Sequence, residues 1–436
     1  MVDSNRGAVP SVQETFMQMA KAAGLRGRIL LTIGILLLVR LGIHVPIPNI
    51  NRAAFAASLQ GSPLFGLVDI FSGGGIAALG VFALGILPYI NASIIMQLLT
   101  SALPSLEKLQ KDEGEAGRRK ISAYTRYLTL FWAVVQSLGI SVWVLGYRTT
   151  PSEVGFAVGT TLALTAGAMF VTWLGELITE RGIGNGASLL IFINIVATLP
   201  RAFSQTVSLV QADSSKVGGL LLLILVLLVM IVGIVFVQEG TRRIPIISAK
   251  RQVGRLMYQE QRNYLPLRLN QSGVMPIIFA SSILFLPATI AQSIGNEQLI
   301  RVANALSPSS PQPWAYLIAY LTLILFFSYF YTSVILNPVD MAQNLKKGGT
   351  SIPGIRPGKA TAEYLEGVIN RLTLLGAVFL GAVAILPTAV ERATGVTTFQ
   401  GLGATSLLIL VGVAIDTARQ IQTYVISQRY EGMVKA

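Results

Sequence analysis

Apolar and polar positions alternate along this chain in long blocks rather than at helical or strand spacing. Ten apolar stretches of about bilayer-crossing length, roughly 20 residues as helix, fall near 29–47, 76–103, 128–147, 154–178, 187–203, 217–237, 274–294, 314–336, 368–390 and 402–426. The fifth is the least regular, because Gly182, Gly184 and Gly186 precede it and Pro200 with Arg201 is expected to close it early. Residues 1–28 hold no short apolar core with a small-residue cleavage site, the mark of a removable signal. Positions 11–24, with Phe16, Met17 and Met19 among polar residues, read as a helix lying in the interface.

The pattern therefore predicts an all-α polytopic membrane protein with ten transmembrane helices. Composition agrees: 53% of the 436 residues are hydrophobic and 12% charged, against roughly 25% charged in a soluble domain. Cysteine is absent and His44 is the only histidine. That excludes disulfides, thiol chemistry and a histidine-based metal site.

Charge sets the orientation. Of the 33 Lys and Arg, 26 lie in or beside the amino terminus, the loops after spans 2, 4, 6 and 8, and the carboxyl tail. Basic residues stay on the cytoplasmic side during insertion, so both termini are expected there. Three cytoplasmic segments exceed what connection requires: 104–127, 238–270 and 337–367. In the second, the run from Arg243 to Ala249 reads as a short strand, which predicts a protruding hairpin. Two long basic loops on one face suit docking of a soluble partner, including one that contains RNA. Enforcing topology and touching anionic lipid is the alternative for each single charge.

An internal repeat is present. Gly85-Ile-Leu-Pro88-Tyr-Ile90-Asn-Ala92-Ser93 in span 2 matches Gly273-Val-Met-Pro276-Ile-Ile278-Phe-Ala280-Ser281 in span 7, with five identities over nine positions. Each is the second span of a five-span half, and an odd half-count inverts the second copy in the membrane. Proline inside an apolar helix frees a carbonyl, tolerated at depth only beside protein or a water-lined cavity. The pair is therefore expected to face an interior path.

Within the spans the main ionisable groups are Arg40, Glu176 and Asp416. Arg40 is placed to snorkel outward, Glu176 is near a cytoplasmic end, and Asp416 has Arg419 one turn on. No carboxylates recur at helical spacing, so a proton relay has no support. Gly182-Ile-Gly-Asn-Gly186 lacks a P-loop lysine, and no Ser/His/Asp set can be built on one histidine. Neither an enzyme nor a bound cofactor is expected. A path lined by branched aliphatics excludes ions by dewetting and yields to a varied passenger, since dispersion contacts carry no directional demand. Residues 64–75, an apolar segment ending in Ser72-Gly-Gly-Gly75, are too short to span and read either as a re-entrant stopper on a glycine hinge or as a static interfacial half-helix, the stopper being favoured once a pore is expected.

Several motifs, in order along the chain, carry a family resemblance. They are Phe71-Ser-Gly-Gly, Ala83-Leu-Gly-Ile-Leu-Pro-Tyr-Ile, Gly114-Glu-Ala-Gly-Arg-Arg-Lys-Ile and the run Trp173–Gly186. Ala249-Lys-Arg-Gln, Asn344-Leu-Lys-Lys, Pro353-Gly-Ile-Arg-Pro-Gly and Thr405-Ser-Leu-Leu-Ile complete the set. By these the chain resembles the SecY family of protein-translocation channels.

The resemblance implies two inverted five-helix halves forming a clamshell around a central pore, residues 29–203 and 204–426, with a cytoplasmic tail at 427–436. It implies a pore ring of Ile86, Ile90, Ile191, Ile278 and Ile409, with Ala187 where the family often has another isoleucine. The plug would comprise Leu64, Phe65, Leu67, Ile70, Phe71, Gly73 and Gly74. A lateral gate between spans 2 and 7 would carry Asn91, Gln97, Ser281 and Ser282. Arg251, Arg255 and Arg356 would meet the SecA motor or the ribosome. SecE and SecG would be the membrane subunits, and signal sequences, nascent polypeptides and membrane lipid the other partners. The implied location is the bacterial plasma membrane, or a thylakoid-type membrane.

Overall fold

The computed structural model describes residues 23–59, 72–213, 216–248, 252–253, 256–257, 262–294, 298, 301, 305–306, 314–394 and 404–435. The chain is helical, as its apolar blocks require. The helices are α1 (Ala23–Ile43), α2 (Arg52–Leu59), the single turn α3 (Gly75–Ala78), α4 (Leu87–Ala102), α5 (Pro104–Asp112), α6 (Gly114–Val144) and α7 (Glu153–Arg181). They continue as α8 (Gly186–Ala212), α9 (Val217–Glu239), α10 (Met275–Ile294), α11 (Trp314–Ile335), α12 (Pro338–Lys347), α13 (Lys359–Thr394) and α14 (Ala404–Lys435). Among the described residues, six helices are long and apolar enough to cross a membrane. The predicted interfacial helix at 11–24 lies, but for its last two positions, outside the described residues.

Two predicted spans differ from what forms. Span 2 starts as a helix only at Leu87, after an irregular stretch from Leu79 to Ile86. Span 5 does not close at Pro200, because α8 continues through that proline to Ala212. A proline disturbs one turn of backbone bonding, and the run from Ala202 to Ala212, free of further proline and glycine, resumes the helix.

The chain divides into two compact units. The first holds residues 1–92, 125–200 and 413–436. In it α1 packs along α7. The 79–81 segment lies antiparallel to 45–47, with Ile47 N–H donating to Leu79 O (3.1 Å) and Val81 N–H to Val45 O (2.9 Å). Leu79 adopts a left-handed conformation, φ 46°, which costs about 1 kcal/mol for a residue with a Cβ. Burial offsets that cost: Leu79 sits with Phe55, Val144 and Phe156 in a closed apolar cluster edged by Trp143 and Tyr147.

The second unit holds residues 93–124 and 201–412. The predicted hairpin is present. Strand β1 (Thr241–Ser248) pairs antiparallel with a second long strand (Arg262–Arg268), Thr241 opposite Arg268 and Ile247 opposite Arg262. The other edge of β1 takes the short strand Thr350–Ser351, so the two large basic loops form one three-stranded sheet. Beneath it Ile244, Leu267, Ile352, Leu365, Val368, Ile369 and Leu372 make a buried core against the base of α13.

Candidate functional site

The repeat is where the site begins. Gly85 and Gly273 both have positive φ, 53° and 62°, a region that glycine enters without the Cβ penalty. Two residues later each helix starts, α4 at Leu87 and α10 at Met275, so Pro88 and Pro276 each occupy the second helical position. The first free turn bond is the same in both: Ile90 N–H donates to Ile86 O (3.1 Å), and Ile278 N–H to Val274 O (3.3 Å). The expectation that these prolines interrupt their helices is corrected here. In the first turn the missing N–H has no intrahelical partner to lose. Glycine followed by proline acts as a helix-starting device, used twice.

In the first unit, Ile86, Ile90 and Ile191 are buried. Ile86 owes its seat to Gly175 of α7, where a Cβ would lie 3.1 Å from the Ile86 Cδ1 and 3.2 Å from the Leu190 Cδ1. The same glycine carries the start of α8, since a Cβ on Gly186 would fall 1.8 Å from Gly175 O. The turn between α7 and α8 is held by side chains. Ile183 N–H donates to Thr32 Oγ1 (3.1 Å), Gly184 N–H to Gln420 Oε1 (2.8 Å), and Gly186 N–H to Thr179 Oγ1 (2.9 Å). Its amides are thus occupied within the chain, and the glycine-rich run serves close packing, not a phosphate.

Two of the three ionic groups expected within spans, Glu176 and Arg40, also find protein partners in this unit. Glu176 accepts from Arg126 Nε at 2.8 Å, tying α7 to α6. Arg40 was expected to snorkel; instead its Nη1 donates to Gly73 O at 2.8 Å. A charged group in an apolar span gains more from a fixed acceptor than from reaching for distant water.

In the second unit, Ile278 and Ile409 are buried. Ser281 is half-buried and donates to Ile278 O at 2.9 Å within its own helix. Phe279 meets Phe327 and Tyr331 edge-on, at 5.6 and 6.0 Å between ring centres, which fastens α10 to α11. Val274, the repeat counterpart of Ile86, also sits on a glycine, for a Cβ on Gly412 would lie 2.4 Å from Val274 Cγ1.

The basic platform has a built tip. Gly354 and Gly358 take φ of 79° and 111°, bending Pro353–Gly358 into a tight turn. Ile355 packs inward against the core under the sheet, while Arg356 is exposed and its carbonyl accepts from Thr361 Oγ1 (2.9 Å).

Residues 80–418, most of the chain, match the SecY family. The chain belongs to the SecY family. It is 67% identical over 436 residues to the protein translocase subunit SecY of Synechococcus elongatus, covering 99% of both chains. To that of Synechocystis sp. it is 63% identical over 442 residues, again covering 99% of both. The fold is similar to a solved protein-conducting channel, with a TM-score of 0.69 at 18% identity and 94% of each chain covered. It also resembles a SecY studied for its plug domain (TM-score 0.64, 18% identity) and Sec61 from a canine ribosome–channel complex (0.66, 17%), each over 94% of both chains.

The five residues that the resemblance suggested for a pore ring are all between 0% and 6% exposed. Of the residues expected at a lateral gate, Asn91 and Ser282 are buried, Gln97 and Ser281 half-buried. Among the plug positions, Gly73 and Gly74 are described, while Leu64, Phe65, Leu67, Ile70 and Phe71 lie outside the described residues, as do Arg251 and Arg255. Sequence reasoning did not single out Gly175, and it expected Arg40 to reach outward rather than to Gly73. The only available signal was indirect: a small residue and a cation, each interrupting an apolar span.

Proposed function

We propose that this multi-pass membrane protein is a gated, passive conduit for unfolded polypeptides, with Ile86, Ile90, Ile191, Ile278 and Ile409 at its waist. Burial of all five side chains is the observation that carries the reading. Uncharged branched side chains seal by dewetting and part for a threading chain at the cost of dispersion contacts alone. Segment 64–75 serves as the plug, in keeping with a structural relative whose plug domain is described as stabilising the closed state and maintaining a membrane seal. Residues 29–203 and 204–426 act as the two halves. Spans 2 and 7, with Asn91, Gln97, Ser281 and Ser282, form the lateral gate, through which signal sequences and membrane helices leave for lipid.

The basic platform, with Arg251, Arg255 and Arg356, docks the SecA motor or the ribosome, as the ribosome-bound Sec61 relative suggests. SecE and SecG clasp the channel in the membrane. The chain itself performs no catalysis. Both termini are cytoplasmic, in a bacterial plasma membrane or a thylakoid-type membrane.

The test is photocrosslinking of a stalled secretory precursor to probes at Ile86, Ile278 and Ile409, with the exposed Leu225 and Leu375 as lipid-facing controls. Waist probes are expected to capture the precursor and the controls not to. Capture by the controls alone overturns the pore.

A further inference from the structure

The half-buried Arg40 lies in α1, and among the described residues the contact its guanidinium makes is a neutral one, the backbone carbonyl of Gly73 at 2.8 Å. Gly73 is the middle of the turn Ser72–Gly74, at which residues 64–71 join the described fold. The turn is held from several sides. Gly73 stands at φ 66°, and a Cβ there would come within 2.5 Å of Arg40 Nη1 and 2.7 Å of Asn194 Oδ1. Asn194, on α8, is 2% exposed. Just before Gly73, Ser72 Oγ accepts from Ile76 N–H at 3.2 Å, tying the turn to α3. Thus a cation from α1 and an amide from α8 close on one glycine, at the only kind of residue that leaves room for both.

We infer that Arg40, backed by Asn194, is a latch that holds the root of the plug segment in the resting channel. This deepens, and rests on, the reading of 64–75 as a plug. The chemistry suits a latch rather than a permanent tie. A guanidinium on a carboxylate in an apolar setting is hard to separate, because either charge is costly to leave alone. On a carbonyl it makes a charge-assisted bond that holds one register of the turn and can be exchanged for water when the turn moves. Arg40 is a positioning residue. Its loss is expected to free the turn without touching the waist.

The experiment uses the full chain reconstituted with its membrane subunits in vesicles, reading resting halide efflux with no precursor present. Arg40→Ala and a deletion of 64–75 are compared with the parent. Arg40→Ala is expected to raise efflux roughly tenfold or more, the factor that loss of one charged hydrogen bond implies. Asn194→Ala should give a smaller rise, and Arg40→Lys, which keeps the charge but not the planar fork, an intermediate one. A mere folding defect has the opposite sign, for it lowers precursor transport and leaves efflux low. If Arg40→Ala fails to accumulate, Arg40→Lys and Asn194→Ala carry the same comparison. Parental efflux in the accumulating variants, beside a leaking deletion, overturns the latch and spares the plug. No leak from the deletion itself overturns the plug reading beneath it.

Discussion

Around the glycines of the first unit, neighbouring segments meet with no room for a Cβ; around Ile244 and Leu365, in the second, they meet through branched side chains. In the first region Gly42 meets the Phe82 ring, Gly80 meets Ile43 O, Gly167 meets Val81 O and Gly186 meets Gly175 O, each where a Cβ has no room. In the second a seven-residue aliphatic core is closed over by a sheet. The difference follows from the solvent each sequence implies. Within lipid, apolar side chains gain nothing from leaving their surroundings, so association rests on close packing and small residues. Beside water, burying branched aliphatics is itself the driving force.

The comparison breaks most sharply at Gly186. Gly186→Val places a branched side chain against a carbonyl that cannot retreat, and overpacking of this kind costs about 3 kcal/mol. Accumulation of the folded protein in membranes, followed by immunoblot, is expected to fall to background. Parental accumulation would mean that α7 and α8 do not need their backbones in contact.

Leu365→Ala tests the other region. Leu365 is fully buried, and removing it leaves a cavity worth about 3 kcal/mol. The expected result is early protease cleavage within 238–270 and 337–367, with helices elsewhere protected. A smaller effect is expected from Thr165→Val, which removes the buried hydrogen bond to Ser137 (3.1 Å) between α6 and α7. Such bonds average about 0.6 kcal/mol in membranes, so a thermal midpoint lower by a degree or two in detergent would fit. A large drop would show that hydroxyls, not glycines, hold this region together.

Much of the fold was legible from the chain alone. Lengths of apolar blocks respond to a fixed bilayer thickness, and the strand Thr241–Ser248 was visible in part because the run from Arg243 to Ala249 carries branched apolar residues in a basic loop. The repeat was legible as letters, but its meaning was not. Pro88 and Pro276 read as interruptions because sequence cannot say where a helix begins when apolar residues run on both sides. Gly85 and Gly273 decided it, through a backbone conformation that has no signature beyond the residue type.

Composition and order of residues thus determined the class, the number of apolar blocks, the basic platform and the family. Tertiary structure decided which small residues are contacts and which cations have partners. Arg40 faces Gly73, and Glu176 faces Arg126, because those pairs are separated by tens of residues and joined only when helices pack. Local pattern measures how each segment meets its solvent, whereas pairing across the fold depends on distances that no local pattern contains.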